Sequence, residues 1–444
     1  MSSYWCELAW LGGERAEAGV LVEIAGERIQ SVTAGVAPPP EAKRLDGLTV
    51  PGLANAHSHA FQRALRGRAQ ERGEGSFWTW RERMYELAER VDPDGYLALA
   101  RACFAEMALA GITAVGEFHY LHHRPGGAPY EDPNALGAAV IAAAREAGLR
   151  ITLLDTCYLH GGFGEPAGPE QRRFRDRDAA AWAERVDAIP EGPEVRVGAA
   201  IHSVRAVDPE SAGLVAGWAA GRERPLHAHL SEQPAENEAA LRAHGLTPTA
   251  ILAGAGALET RFTAVHATHL SDEDVAMLGA GGASCCLCPT TERDLGDGIA
   301  DARRLLDAGC SLALGSDSQA FIDPFEEARA VELDQRLASG RRGLHSAAEL
   351  LGAACAGGHA SIGWDDGGRI EAGMRADLVT IALDGPRLAG TAAATALESI
   401  VFAAAPADVR RVIAGGREIV RDGAHVAIDA GAELAAAIAA LEGR

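Results

Sequence analysis

Through the middle of the chain, apolar and β-branched runs of about six residues alternate with alanine-rich stretches, the rhythm of repeated strand and helix. Eight such runs can be read: LTVPGLANAHSH (48–59), ITAVGEF (112–118), RITLLDT (150–156), VRVGAAIHS (195–203), PLHAHLSE (225–232), FTAVHAT (262–268), ASCCLCP (283–289) and SLALGSDS (311–318). Helix-start signals follow most of them. Asp92-Pro93, Asp132-Pro133, Asp208-Pro209 and Asp323-Pro324 set a capping side chain before proline, and Ser271-Asp272 sets an acid in the first turn. Strands separated by helices predict a parallel sheet, and eight of them over about 300 residues predict a (β/α)8 barrel. An open doubly wound sheet is the other arrangement of such repeats. Against it, no G-x-G-x-x-G follows the first run, and Gly279-Ala280-Gly281-Gly282 comes late and lacks the third glycine.

The two ends of the chain read differently. GVLVEIAG and RIQSV lead into Pro38-Pro39-Pro40, while ADLVTIAL (376–383), RRVIAGGREIV (410–420) and HVAI (425–428) are short β runs divided by glycines. One small β domain assembled from residues 1–50 and 369–444, the latter with a terminal helix, is therefore expected beside a barrel over 51–368.

Composition removes several functions. Of 444 residues, 48% are hydrophobic and 23% charged, the balance of a globular protein, and the longest apolar stretches fall far short of the ~18 residues that span a bilayer. A net charge of −21, without an acidic tail, repels nucleic acid and anionic membranes, so neither is expected as a partner. Lys43 is the single lysine among 41 basic residues. That excludes a Walker A loop of the Gly-Lys type, a Schiff base in the body of the chain, and a carbamylated lysine bridging two metals. The eight cysteines lack paired zinc-finger spacing, and the first residues do not resemble a signal peptide, since Glu7 interrupts a short apolar stretch with no basic run before it, so reduced thiols and a cytoplasmic protein are expected.

Barrel enzymes carry their chemistry at the C-terminal ends of the strands. Here the first run ends in His57 and His59, the fourth in His202, the fifth in His229 with Glu232 three residues on, the sixth in His266, and the eighth in Asp317. Positions i and i+2 of a strand share a face, so His57 and His59 both point to the barrel mouth. With His229 and Asp317 they make a three-histidine, one-carboxylate set of the kind that holds a catalytic zinc. A lone histidine such as His202, His227 or His269 is ordinarily a hydrogen-bonded structural residue. Cys285, Cys286 and Cys288 read as small buried hydrophobes, and Glu117 and Asp155 as supporting or structural groups.

PGLANAHSHAFQRAL (51–65), HLSEQ (229–233), His266-x-x-His269 and LGSDS (314–318) together resemble the amidohydrolase superfamily, and RIEAGMRADLVTI (369–381) is similar to its return into a small β-sandwich. The words HSHAFQRAL, SFWTWRERMY (76–85), EFHYLHH (117–123) and CPTTERDLGDG (288–298) resemble the formimidoylglutamate deiminases within it. The resemblance implies one zinc per chain, with iron as the other candidate, on His57, His59, His229 and Asp317. It further implies Glu232 as proton shuttle, His266 and Asp317 flanking the nucleophilic water, and Gln62, Arg81, Tyr120, His202 and Arg205 holding a substrate with two carboxylates. A homodimer is implied as well, and so is a place in histidine degradation. In a chain of this charge, Arg81 (or its neighbour Arg83) and Arg205 suit carboxylates through bidentate pairing. Gly73, Gly75, Phe77, Trp78 and Trp80 suggest a lid over the mouth, a packed helix hairpin being the plainer alternative. Two other functions stay open at this point: a nucleobase or nucleoside deaminase with an aromatic, uncharged pocket, and a catalytically silent barrel acting as a structural subunit.

Overall fold

The computed structural model describes residues 2–70 and 77–443, apart from the side chains of Phe77 and Trp78; Gly73 and Gly75 lie outside the described residues. In chain order come β1 (Ser2–Ala9), β2 (Glu17–Ala25), β3 (Arg28–Thr33) and β4 (Lys43–Pro51), then β5 (Leu53–Ser58), β6 (Ile112–His119) and β7 (Arg150–Cys157). A small hairpin of β8 (His160–Gly162) and β9 (Glu165–Pro166) precedes β10 (Val195–Ile201), β11 (Pro225–Leu230), β12 (Arg261–His266), β13 (Ser284–Leu287) and β14 (Ser311–Leu314). The chain closes with β15 (Leu378–Ile381), β16 (Val409–Ala414), β17 (Arg417–Arg421), β18 (Ala424–His425) and a terminal helix, Ala430–Glu442.

Strands β5, β6, β7 and β10 to β14 pair in parallel in that order, and the ring is joined between its ends by two backbone bonds. The His59 N–H donates to the Asp317 carbonyl and the Asp317 N–H to the His57 carbonyl, each at 3.0 Å. Candidate site residues thus close the barrel with their own backbones. Gly315 permits this approach, since a Cβ there would stand 2.7 Å from the Cβ of His57. The expected (β/α)8 barrel is present. Its interior is filled by small side chains, Ala54, Ala56, Ala114, Cys286, Cys288 and Ala313, and packed further by Ile362 and Trp364.

The second sheet runs β18-β17-β16-β15-β4-β1-β2-β3, so both ends of the chain contribute to it. Here the first apolar run requires correction: 48–59 is two strands, not one. β4 belongs to the terminal sheet and β5 to the barrel, and the chain passes between them at Gly52. A Cβ at Gly52 would lie 2.2 Å from Thr113 Oγ1 and 2.7 Å from Asp377 Cβ, so the crossing point has room only for glycine. β1 was not among the expected strands.

Most helix starts stand where the capping residues put them. Asp92 accepts from Gly95 N, Asp208 from Ser211 N, and Asp323 from Phe325 N and Glu326 N, while Ser271 and Asp274 form a reciprocal capping box. After Asp132-Pro133 the helix begins later, at Ala135, because Asp132 first closes a turn by accepting from Asn134 N at 2.9 Å. Phe77–Ala88, the segment read as a lid, is helical. No helix among the described residues is long and apolar enough to cross a membrane.

Candidate active site

Five donors from the barrel's strand ends converge at its mouth. His57 and His59 lie on or just past β5, His229 is on β11, His266 ends β12, and Asp317 follows β14. One oxygen of Asp317, Oδ1, lies 3.3 Å from both His57 Nε2 and His59 Nε2. The Nε2 atoms of His57 and His229 are 3.1 Å apart. One ligand atom each from His57, His229, His266 and Asp317 fall within 4.8 Å of one another, and His59 joins them through the shared carboxylate oxygen.

The far side of each ring decides what its near side offers. His59 Nδ1 is 2.9 Å from the Phe118 carbonyl and His229 Nδ1 2.9 Å from the His202 carbonyl, so both carry their proton there and turn a bare Nε2 inward. Burial drives all three rings away from the charged form: His57 down to about 3, with His59 and His229 also lowered. Three imidazoles gathered at such short range around one carboxylate are the donor set of a metal site.

His266 differs. Its Nδ1 is 3.3 Å from Glu292 Oε1, and its Nε2 is 3.7 Å from Glu232 Oε1 and 3.8 Å from Asp317 Oδ2. Both nitrogens face carboxylates. Burial opposes the charge, yet Glu232, Glu292 and Asp317 together raise this imidazole well above its ordinary value. Burial would likewise raise Asp317, but the hydrogen bond from His57 and the surrounding rings hold it below the usual carboxylate range. Burial pushes the Glu232 carboxyl up to about 7, the range in which a group can both take and return a proton. Ser231, His266, Ala267, Asp317 and Gln319 all have φ between 43° and 68°. Left-handed backbone at non-glycine residues costs on the order of 1–3 kcal/mol each. That strain falls on the turns that aim these side chains.

The expected substrate residues surround one pocket with the donors. Gln62, Arg81, Tyr120, His202 and Arg205 all line it, beside the aromatic rings of Trp80, Tyr85, Tyr158 and Phe174. Gln62 Nε2 donates to the Tyr120 hydroxyl at 2.8 Å, and its Oε1 has no partner in the protein. Arg81 lines the pocket above the Tyr85 ring, whereas Arg83 donates to the Arg68 carbonyl at 2.6 Å. His227 and His269 are structural, bound to the carbonyls of Ser361 and Asp297.

Glu292 and Glu236 were not anticipated. Glu292 lies on the short helix Pro289–Leu295, where it orients His266 and accepts from Cys288 N; Glu236 stands one turn beyond Glu232, with Oε1 3.6 Å from Arg205 Nε. Glu117 accepts from Ser58 Oγ, Ala60 N and Tyr96, and Gln319 donates to both Ser58 Oγ and the Asp317 carbonyl, a network that fixes the loops bearing His59 and Asp317.

Residues 48–419 match the sequence model of the Amidohydrolase family. A formimidoylglutamate deiminase from Pseudomonas aeruginosa is 39% identical over 397 residues, covering 86% of this chain and 87% of that protein. An 8-oxoguanine deaminase from the same species is 31% identical, covering 96% and 93%. Among solved structures, an amidohydrolase from Brucella melitensis superposes on 100% of both chains with a TM-score of 0.90 at 33% identity.

Proposed function

The chain belongs to the amidohydrolase family, and from that premise we propose that it is a zinc-dependent deiminase converting N-formimidoyl-L-glutamate and water into N-formyl-L-glutamate and ammonia. The observation that carries the substrate is the pair of guanidiniums, Arg81 and Arg205, on the wall of a pocket that also holds the converging donors. In a chain of net charge −21, two such groups at one pocket favour a dianion. The 39% identity to a formimidoylglutamate deiminase supports the same substrate.

His57, His59, His229 and Asp317 would hold the zinc. The chemistry it supplies when bound is Lewis acidity, which makes water a nucleophile near neutral pH. Glu232 takes a proton from the attacking water and delivers it to the departing nitrogen, so that ammonia leaves rather than an amide anion. Protonated His266, steadied by Glu292, donates toward the oxygen that is bonding to the amidine carbon. Arg81 and Arg205 take the two carboxylates, Gln62 and Tyr120 bound the space for the amidine, and neutral His202 lies between the aromatic wall and the ligand His229.

A nucleobase deaminase is the second reading, favoured by the aromatic lining and by the identity to an 8-oxoguanine deaminase. Ammonia release from N-formimidoyl-L-glutamate, guanine, 8-oxoguanine, cytosine and adenosine, with metal content measured on the same sample, separates the two. A kcat/KM for the amidine at least tenfold above that for every base is expected. Preference for any base overturns the substrate while leaving the hydrolase.

A further inference from the structure

The pocket holding the donors is small, about 50 Å3, and a much larger chamber of about 530 Å3 adjoins it. Arg81 and Arg205 line both. The outer chamber lies between the β8–β9 hairpin and the helix Pro234–His244, which contributes Glu236, Ala239 and Arg242. Its volume falls in the range of small-molecule sites.

Glu236 gives the chamber a chemical character. The residue is 3% exposed, neither carboxylate oxygen has a hydrogen-bond partner in the protein, and the ion pair with Arg205 is a long 3.6 Å. A buried carboxylate whose one cation stands beyond hydrogen-bond distance is costly. It calls for a ligand N–H on the outer side of Arg205. Arg242, on the same helix and largely exposed, also lines the chamber and forms a surface ion pair with Glu238 at 3.5 Å, a pairing weak enough for a ligand carboxylate to compete with.

Resting on the reading of the inner site given above, we propose that the outer chamber is a subsite for a peptide-type extension, so that the enzyme also deiminates acidic amidines whose distal carboxylate is amide-linked to a further acidic residue. In such a compound the linking carbonyl takes the place of the carboxylate at Arg205, the linking N–H donates to Glu236, and the added carboxylate meets Arg242. One more residue adds at most about 3.6 Å of backbone. The bond chemistry is unchanged. Water oxygen bonds to the amidine carbon, the carbon–nitrogen bond breaks, and the nitrogen leaves as ammonia with the protons the water supplied.

The test compares N-formimidoyl-L-glutamate with N-formimidoyl-L-glutamyl-L-glutamate, linked through either carboxylate, on the zinc-loaded full chain. At least one extended compound should show kcat/KM within about tenfold of the parent. Ala239→Trp, which fills the chamber, and Arg242→Gln should each lower that value at least tenfold while changing the parent less than about twofold. Three results overturn the proposal. One is hydrolysis of both extended compounds below one hundredth of the parent rate; another is equal losses on parent and extended substrates in both variants. The third is failure of wild type to hydrolyse the parent while it deaminates a base, which overturns the substrate reading itself and is thereby distinguished from the first two.

Discussion

Two buried clusters of histidine and aspartate stand at neighbouring strand ends of one barrel, and only one is built to receive a cation. His57, His229, His266 and Asp317 form the first; His119, His122 and Asp155, on or just past β6 and β7, form the second. In the second, Arg185 donates to both oxygens of Asp155 at 2.8 Å, and Trp182 Nε1 adds a bond at 3.1 Å. The protein has placed its own cation there. Burial opposes ionisation of Asp155, but Arg185 holds it down to about 2. In the first cluster Asp317 is met by imidazoles instead, two of them presenting Nε2 to the same oxygen. The difference teaches that residue types do not distinguish a metal site from an ion-pair cluster; what distinguishes them is whether a guanidinium already satisfies the carboxylate.

The largest expected effect breaks the first cluster. His57→Ala or Asp317→Ala should take metal content from one equivalent per chain to near zero and lower kcat/KM at least ~1000-fold, since several kcal/mol of transition-state stabilisation is lost with the ion. His122→Asn should leave metal content at one equivalent. Loss of metal from the His122 variant, read by elemental analysis, would erase the contrast.

Next comes Glu232→Gln, which keeps size and a hydrogen bond but cannot accept a proton. Metal should be retained and turnover reduced at least ~100-fold. The pH profile sharpens this. Glu232 acts as acceptor only when ionised, and burial sets it at about 7, a value that a bound cation would draw down. Wild-type activity should therefore rise with pH along a limb at or below pH 7, and the residual activity of the variant should lack that limb.

Arg205→Met should cost about 10–100-fold in kcat/KM for the diacid, from the loss of a charge-assisted pairing of ~1.5–3 kcal/mol, with normal metal content. An amidine lacking one carboxylate should suffer less. Parental kcat/KM in this variant and in Arg81→Met would remove the arginines from substrate binding.

The first cluster was legible in the chain itself; the second was not. A histidine or aspartate closing an apolar run stands at a barrel mouth by the geometry of the fold, so the sequence placed His57, His59, His229, His266 and Asp317 together without knowing their distances. Glu292 escaped because it sits on a short helix after β13, where no periodicity signals that its carboxylate turns back under His266. Glu236 lies on a helix start in the pattern of a solvated face, and only the position of Arg205 makes it a buried partner. Arg185 and Asp155 are 30 residues apart, and their pairing depends on how the helix Ala179–Asp187 docks. The split of the first run at Gly52 depends on Thr113 and Asp377, both remote in sequence.

The smallest effect on activity is expected from the second cluster, where the readout is stability. His122 Nε2 donates to the Thr156 carbonyl at 2.9 Å, and burial, helped by the charge of Arg185, pushes this imidazole down to about 4. Unfolded, the ring titrates near 6.5. Between pH 6.5 and 4 the unfolded chain therefore binds a proton that the folded protein does not, so stability is full above 6.5 and falls as the pH drops toward 4. From pH 7.5 to 5 that linkage amounts to about 2 kcal/mol for this one residue. His122→Asn should lose about 1–3 kcal/mol at pH 7.5 if the amide cannot reach the carbonyl, keep kcat/KM within about twofold, and show a shallower decline in stability between pH 7.5 and 5 than wild type. Urea unfolding at the two pH values measures this. Parallel declines would mean that His122 takes up its proton equally in the folded and unfolded protein, so that neither burial nor Arg185 lowers it.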